Sequence, residues 1–274
     1  MPIATDCVDP RSEDLTPDAL SARQRAAETV ARDAGRLALA LRASPRGLEI
    51  ALKGPQDVVT AADGEVERSI VAALGAAFPD DAFLGEEGGG TVGDRCWVID
   101  PIDGTANFAR GLPHWCVAIA FVAAGRTEVG VICDPNGDLL YSARRGMGAW
   151  RNGAPIHVSA ADDPARASVD IGYSRRTKID DFARIMARLL ERGINVTQGG
   201  SAALGLARVA DGRLDGYAER HLYAWDALAG LLLVEEAGGR VNAFLNGGGL
   251  TSGNETMAAT PGLYAVIASA LEVR

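Results

Sequence analysis

The chain has 274 residues, enough for one large domain or two ordinary ones, and its 47% hydrophobic and 23% charged content excludes a disordered polymer. Its 27 basic and 36 acidic side chains leave a net charge of −9, which argues against nucleic acid or an anionic membrane as a partner and suits bound cations. Glycine is in excess at 33 residues, with no G-X-Y period, so many tight turns and close backbone approaches are expected.

Residues 1–15 read as a polar lead-in with early acids and no apolar run, so no secretory leader and a cytoplasmic location are expected. Thr16-Pro17-Asp18 starts a long helix that ends before Pro45, with Leu20, Val30, Leu37 and Leu41 near one face. A second helix is predicted over 65–78, from Val66, Ile70, Val71, Leu74 and Phe78. Pro79-Asp80-Asp81 stops it, and 82–84 reads as a short strand. Buried strands follow at 96–99, 116–122, 129–132 and 139–141, joined by turns such as Asp134-Pro135-Asn136-Gly137. The longest uncharged apolar stretch, Trp115 to Gly125, is eleven residues and too short to span a bilayer.

Asp162-Asp163-Pro164 marks the best domain boundary, giving an N-terminal α+β unit over 16–160 and a C-terminal unit over 161–274. The second unit alternates more: a helix from Ile179 to Leu190 closed by Gly193, a strand at 194–197, and a small-residue helix from Ser201. A strand at 216–219, a buried helix over 226–237 and a last helix over 262–271 complete it. The pattern is α+β, with helices layered on mixed and antiparallel sheets. Four scattered cysteines (Cys7, Cys96, Cys116, Cys133) form no C-x-x-C pair and read as free thiols.

The chemistry collects at strand ends. Asp100-Pro101-Ile102-Asp103-Gly104-Thr105 follows the strand 96–99, and two acids three apart on a stiff turn can converge on a hard cation such as Mg²⁺. The helix start after Gly104 offers free N–H groups to phosphate. A surface turn with solvated acids is the alternative for that motif by itself. Glu86 ends the strand 82–84, Asp57 and Asp63 flank Val58-Val59-Thr60, and Asp226 opens an apolar helix, where an N-cap is the alternative role. Gly199-Gly200-Ser201-Ala202-Ala203 fails the G-x-S-x-G elbow, the acids lack EF-hand spacing, and His114, His157 and His221 are too scattered for a zinc cluster.

Together, Asp57-Val58-Val59-Thr60-Ala61-Ala62-Asp63, Gly85-Glu86-Glu87, Trp97 through Phe108, Gly200-Ser201-Ala202-Ala203 and Trp225-Asp226 through Gly238-Gly239 resemble the inositol monophosphatase family, in the family's order from about residue 17 to the end. The resemblance implies a layered α-β-α-β-α sandwich of the sugar-phosphatase type and a magnesium-dependent, lithium-sensitive phosphatase. It implies two or three Mg²⁺ per subunit. Glu86, Asp100 and the Ile102 carbonyl would hold the first, Asp100, Asp103 and Asp226 the second, and Asp57 would lie near a third. Asp63 and Thr105 would orient and deprotonate the attacking water, and the amides of Gly104 and Thr105 would hold the phosphate. Asp103, Ser201, Ala202 and Glu219 would face the substrate, and a homodimer is implied.

A carboxylate at Glu219 accepts polyol hydroxyls or pairs with an amine. Inositol monophosphate is the favoured small phosphorylated substrate and histidinol phosphate the alternative. Sugar or nucleotide 3′-phosphates and a non-catalytic metal-binding regulatory scaffold come after those.

Overall fold

In the computed structural model the described residues are 15–44, 50–54, 57–174 and 176–272, with backbone alone for 50–54 and 57–59. The lead-in expected over 1–15 lies outside them except for Leu15. Helix α1 (Pro17–Arg42) starts as its sequence directs, with the Thr16 hydroxyl accepting the Ala19 N–H at 3.2 Å and proline in the first turn. Its fully buried seam is Ala27, Ala31, Ala34 and Ala38, while Leu20, Val30, Leu37 and Leu41 are only partly buried beside it. Small side chains there let the helix lie close against the sheet.

An antiparallel hairpin, β1 (Ile50–Gly54) with β2 (Asp57–Thr60), stands where no strand was expected. Helix α2 (Ala61–Ala77) begins four residues earlier than predicted. A capping box explains the earlier start: the Asp63 carboxylate reaches back to the Thr60 N–H at 2.8 Å.

The first sheet contains β3 (Ala82–Gly85), β4 (Gly89–Gly90), β5 (Arg95–Asp103), β6 (Cys116–Ala123), β7 (Arg126–Asp134), β8 (Leu139–Arg144), β9 (Ala149–Arg151) and β10 (Ala154–Ile156). Its order is β10-β9-β8-β7-β6-β5-β3-β4, with only β3 and β5 parallel. Short helix α3 (Thr105–Ala109) follows β5. The chain then passes to a second sheet of β11 (Ser168–Ile171), β12 (Asn195–Thr197), β13 (Gly216–Leu222), β14 (Arg240–Val241) and β15 (Asn254–Ala259), ordered β12-β11-β13-β15-β14. Helices α4 (Ile179–Glu191), α5 (Ala202–Ala210), α6 (Ala224–Glu236), α7 (Gly249–Ser252) and α8 (Tyr264–Leu271) complete the α-helices among the described residues. Strands β4, β9, β10, β11, β14 and β15 were not foreseen. β4 and β14 are two residues each and β9 and β10 three, and β11 and β15 carry polar residues such as Asp170 and Thr256 in their buried runs.

Strand alternation sorts the layers. Trp97, Ile99, Val117, Ile119 and Phe121 face α1 and α2, whereas Cys96, Val98, Ala118, Ala120 and Ile132 face α5 and α6. The opposite side of α5 and α6 packs on Tyr217 and Ala258 of the second sheet, whose outer face buries Val169, Ala218 and Met257 under α4 and α8. The result is the α-β-α-β-α sandwich. Between Asp226 and Glu235 helix α6 is apolar all round because it lies between two sheets, as such a helix must. Gly230 makes its contact with α5 possible, since a Cβ there would sit 2.5 Å from the Leu206 Cβ.

One buried ion pair ties α1 to the sheet. The Arg23 guanidinium donates twice to Asp81 at 2.9 Å, lies 4.7 Å and 4.8 Å from the ring centroids of Phe78 and Phe121, and shares Asp81 with the Trp97 indole N–H at 3.1 Å.

Candidate active site

In a regular strand, residues three apart point to opposite faces, so Asp100 and Asp103 would diverge. They do not, because β5 carries a bulge. Asp100 pairs with Ala118 and Asp103 with Cys116, so three steps on β5 match two on β6 and the extra residue rotates both acids to one side. The strand therefore continues to Asp103, where the sequence suggested a turn after Ile99. An Asx turn, with the Ile102 N–H donating to Asp100 Oδ1 at 3.0 Å, stabilises the bulge. Parallel pairing sets Glu86 beside Asp100, since Gly85 faces Ile99 and the Glu86 N–H donates to the Ile99 carbonyl at 3.2 Å. Asp226 arrives from the first turn of α6, held by the Tyr223 N–H at 2.9 Å.

Asp100, Asp103 and Asp226 each offer a carboxylate oxygen within 4.8 Å of the others, with Asp100 only 1% exposed. Burial, then the charges of Glu86, Asp103 and Asp226, push Asp100 well above the ordinary carboxylate range. Burial and then Asp103 push Asp226 up to about 8. Burial also raises Asp103, although hydrogen bonds from Ser201, Ala203 and Ala202 oppose the shift. Carboxylates brought together out of water need a cation to offset their repulsion, and an all-oxygen donor set fits a hard divalent ion.

Asp63, fully buried on α2, accepts the Thr60 N–H and hydroxyl at Oδ2 and the Thr105 hydroxyl at Oδ1, the last at 3.1 Å. Thr105 Oγ1 also lies 3.0 Å from the Ile102 carbonyl, which keeps its second lone pair. Burial raises Asp63, so it is a better proton acceptor than an exposed aspartate. Gly104 has φ of 95° and leads into α3, where a Cβ would meet the His114 carbonyl at 2.8 Å, so glycine is required there. The side chain of Asp57, at the start of β2, lies outside the described residues.

A cavity of about 220 Å³ adjoins these acids, lined in part by Asp103, Ser201, Ala202, Glu219 and Asp226. Ser201 and the α5 amides are turned toward Asp103 as well as toward the cavity. Asp103 accepts the Ser201 hydroxyl at 2.6 Å and the Ala203 N–H at 2.7 Å, so a carboxylate sits on the α5 N-terminus. Glu219, 7% exposed on β13, accepts the Tyr217 hydroxyl at 2.7 Å and is pushed up to about 8 by burial. Every residue singled out from sequence, apart from the undescribed Asp57 side chain, belongs to this one region.

Sequence reasoning missed the residues that support it. Asn107 on α3 donates to the carbonyls of His114 and Gly199 at 2.8 Å and 2.9 Å, joining the Gly104 turn to the Gly199-Gly200 loop. Asp170 on β11 accepts the Gly199 N–H at 3.0 Å and lines the cavity, as does Tyr217. Gly172 leaves room for Glu219, because a Cβ there would fall 1.8 Å from Glu219 Oε2. Asn107 lay inside a recognised motif; Asp170, Gly172 and Tyr217 carried no local signal.

The model of the inositol monophosphatase family matches residues 19–273. The Nus factor SuhB of Escherichia coli (strain K12) is 40% identical over 235 residues, covering 82% of this chain and 88% of that protein. An inositol-1-monophosphatase of Rhizobium meliloti (strain 1021) is 39% identical over 220 residues, covering 78% and 80%. The crystal structure of the extragenic suppressor protein SuhB from Bartonella henselae superposes with a TM-score of 0.86 at 32% identity, over 92% of this chain and 98% of that one. No helix among the described residues is long and apolar enough to cross a membrane. The chain belongs to the inositol monophosphatase family.

Proposed function

We propose that the protein is a Mg²⁺-dependent phosphomonoesterase of small polyol phosphates, with inositol monophosphate as the favoured substrate. The observation that carries this reading is the convergence of Asp100, Asp103 and Asp226 within 4.8 Å, beside the Asp63–Thr105 pair. Glu86, Asp100 and the Ile102 carbonyl would hold one ion and Asp100, Asp103 and Asp226 a second, with Asp57 assigned to a third. Mg²⁺ bound there supplies neutralisation of the phosphoryl oxygens and a lowered pKa for coordinated water.

The chain's own groups do the rest. The Gly104 and Thr105 amides hold a phosphoryl oxygen at the start of α3. Thr105 Oγ1 takes a proton from the attacking water and passes its own to Asp63 Oδ1, to which it is already bonded at 3.1 Å. Glu219, with Ser201 and Ala202 on the same cavity wall, receives the hydroxyls of the departing alcohol. Lithium sensitivity, a cytoplasmic location and a homodimer belong to the same reading.

Histidinol phosphate is the second reading, favoured by Asp170 beside Glu219 in the cavity wall, since two acids suit an amine. Phosphate release from a panel of monoesters, with and without Mg²⁺, tests the proposal, and kcat/KM for inositol-1-phosphate against histidinol phosphate ranks the two. Release that does not need Mg²⁺ overturns the metal reading. No release from any monoester by a protein that binds Mg²⁺ would instead favour a regulatory scaffold, a role in keeping with relatives named as Nus factors.

A further inference from the structure

We propose that Glu67 is a positioning residue of the metal site: it sets the backbone turn that aims Glu86 at Asp100. This rests on the reading of Glu86 as a metal ligand. Glu67 lies on α2 one turn after Asp63, so the two carboxylates share a helix face and serve different parts of the same centre. It is 5% exposed, and its two oxygens accept two successive amides: Oε2 takes the Glu87 N–H at 2.9 Å and Oε1 the Gly88 N–H at 2.6 Å.

The turn is wrapped directly over that carboxylate. A Cβ on Gly85 would lie 2.4 Å from Glu67 Oε2, and one on Gly88 would lie 2.7 Å from Oε1. The Glu86 backbone is thus held from two sides, by β5 through its own N–H on the Ile99 carbonyl and by α2 through the next two amides. A residue whose flanking backbone is fixed on both sides has little freedom in the direction of its Cα–Cβ bond. The two hydrogen bonds that Glu67 accepts supply that constraint on the α2 side. Outer groups that orient a metal ligand commonly change affinity by ~10–100-fold when removed.

The test measures Mg²⁺ binding to the full chain by calorimetry, for wild type, E67Q, G88A and E86Q, with metal-free thermal melting alongside. Glutamine keeps the size of Glu67 but sets an N–H₂ against one of the two amides, so one bond becomes a donor–donor clash. The expected result for E67Q is ~10–100-fold weaker Mg²⁺ binding. Half-maximal phosphate release should need correspondingly more Mg²⁺, with most of kcat regained at saturation. G88A keeps Glu67 but displaces the end of its side chain, and should shift affinity in the same direction by less. E86Q should lose at least as much as E67Q. Wild-type affinity in both E67Q and G88A, alongside a loss in E86Q, overturns the positioning role. Wild-type affinity in E86Q overturns the ligand reading on which it stands. A metal-free melt lowered in E67Q with unchanged Mg²⁺ affinity would assign Glu67 to structure alone and also overturn it.

Discussion

Replacing Asp100 by asparagine should stabilise the metal-free protein while abolishing its activity. The side chain is buried, and its carboxyl is pushed up by burial and then by Glu86, Asp103, Asp226 and Asp63. Two full charges 4.8 Å apart interact by about 3.5 kcal/mol at an effective dielectric constant of 20. Protonation limits this cost: keeping a carboxyl of ordinary pKa 3.8 neutral at pH 7 takes ~4 kcal/mol. Asparagine keeps the Oδ1 bond from the Ile102 N–H but still buries a polar amide, so a net gain of ~2 kcal/mol is expected. That gain corresponds to a melting temperature higher by about 4–8 °C.

The sign with pH follows from the raised folded-state values. The folded protein binds more protons than the unfolded chain, so metal-free stability falls as pH rises from about 4 and goes on falling through the values of about 8 reached by Asp226 and Glu219. Asp100→Asn should flatten that slope. Mg²⁺ at 100 times its dissociation constant should stabilise wild type by ~2.7 kcal/mol and the variant by much less. Thermal melts from pH 5 to 8, with EDTA or Mg²⁺, together with phosphate release, provide the assay. A metal-free variant that melts below wild type, or one that keeps both Mg²⁺ stabilisation and turnover, refutes the reasoning.

Thr105→Ala should lower kcat by ~10²–10⁴-fold with little change in KM, since it removes a proton path and not a substrate contact; steady-state kinetics showing the reverse split would count against it. Gly172→Ala should raise KM while leaving Mg²⁺ affinity alone, because the new Cβ displaces the Glu219 carboxylate and not the metal ligands; calorimetry with Mg²⁺ separates the two. Arg23→Ala should cost ~3–5 kcal/mol of unfolding free energy in urea, because Asp81 is left buried with half its donors gone; a loss under 1 kcal/mol would mean Arg95 and Trp97 suffice to hold it.

The acids were legible in the sequence for a physical reason. Asp103, Glu86 and Asp226 sit where an element begins or ends and Asp100 at the bulge before the end of β5, and the signals for such places are local: a buried strand running into a Pro–Gly segment, an acid in a helix's first turn. The Thr60–Asp63 capping box was equally local, and its neglect put the start of α2 four residues late. Helices α1, α4 and α6 could be read from period and caps. Strands β11 and β15 could not: β11 alternates over only four residues, Ser168-Val169-Asp170-Ile171, and β15 buries Thr256 among Met257, Ala258 and Ala259 with no polar–apolar alternation to mark it.

What only the tertiary structure decided was which groups meet. The bulge that turns Asp100 and Asp103 to one side exists through the pairing of β5 with β6, and no property of β5 alone sets that register. Asn107 reaches a carbonyl 92 positions away, Ser201 reaches Asp103 across 98, and Glu67 reaches a turn 20 residues on. Composition and local motifs therefore determined the donor set and its charge. Long-range packing determined its geometry, because the contacts that aim each carboxylate come from distant segments and leave no period or spacing in the chain.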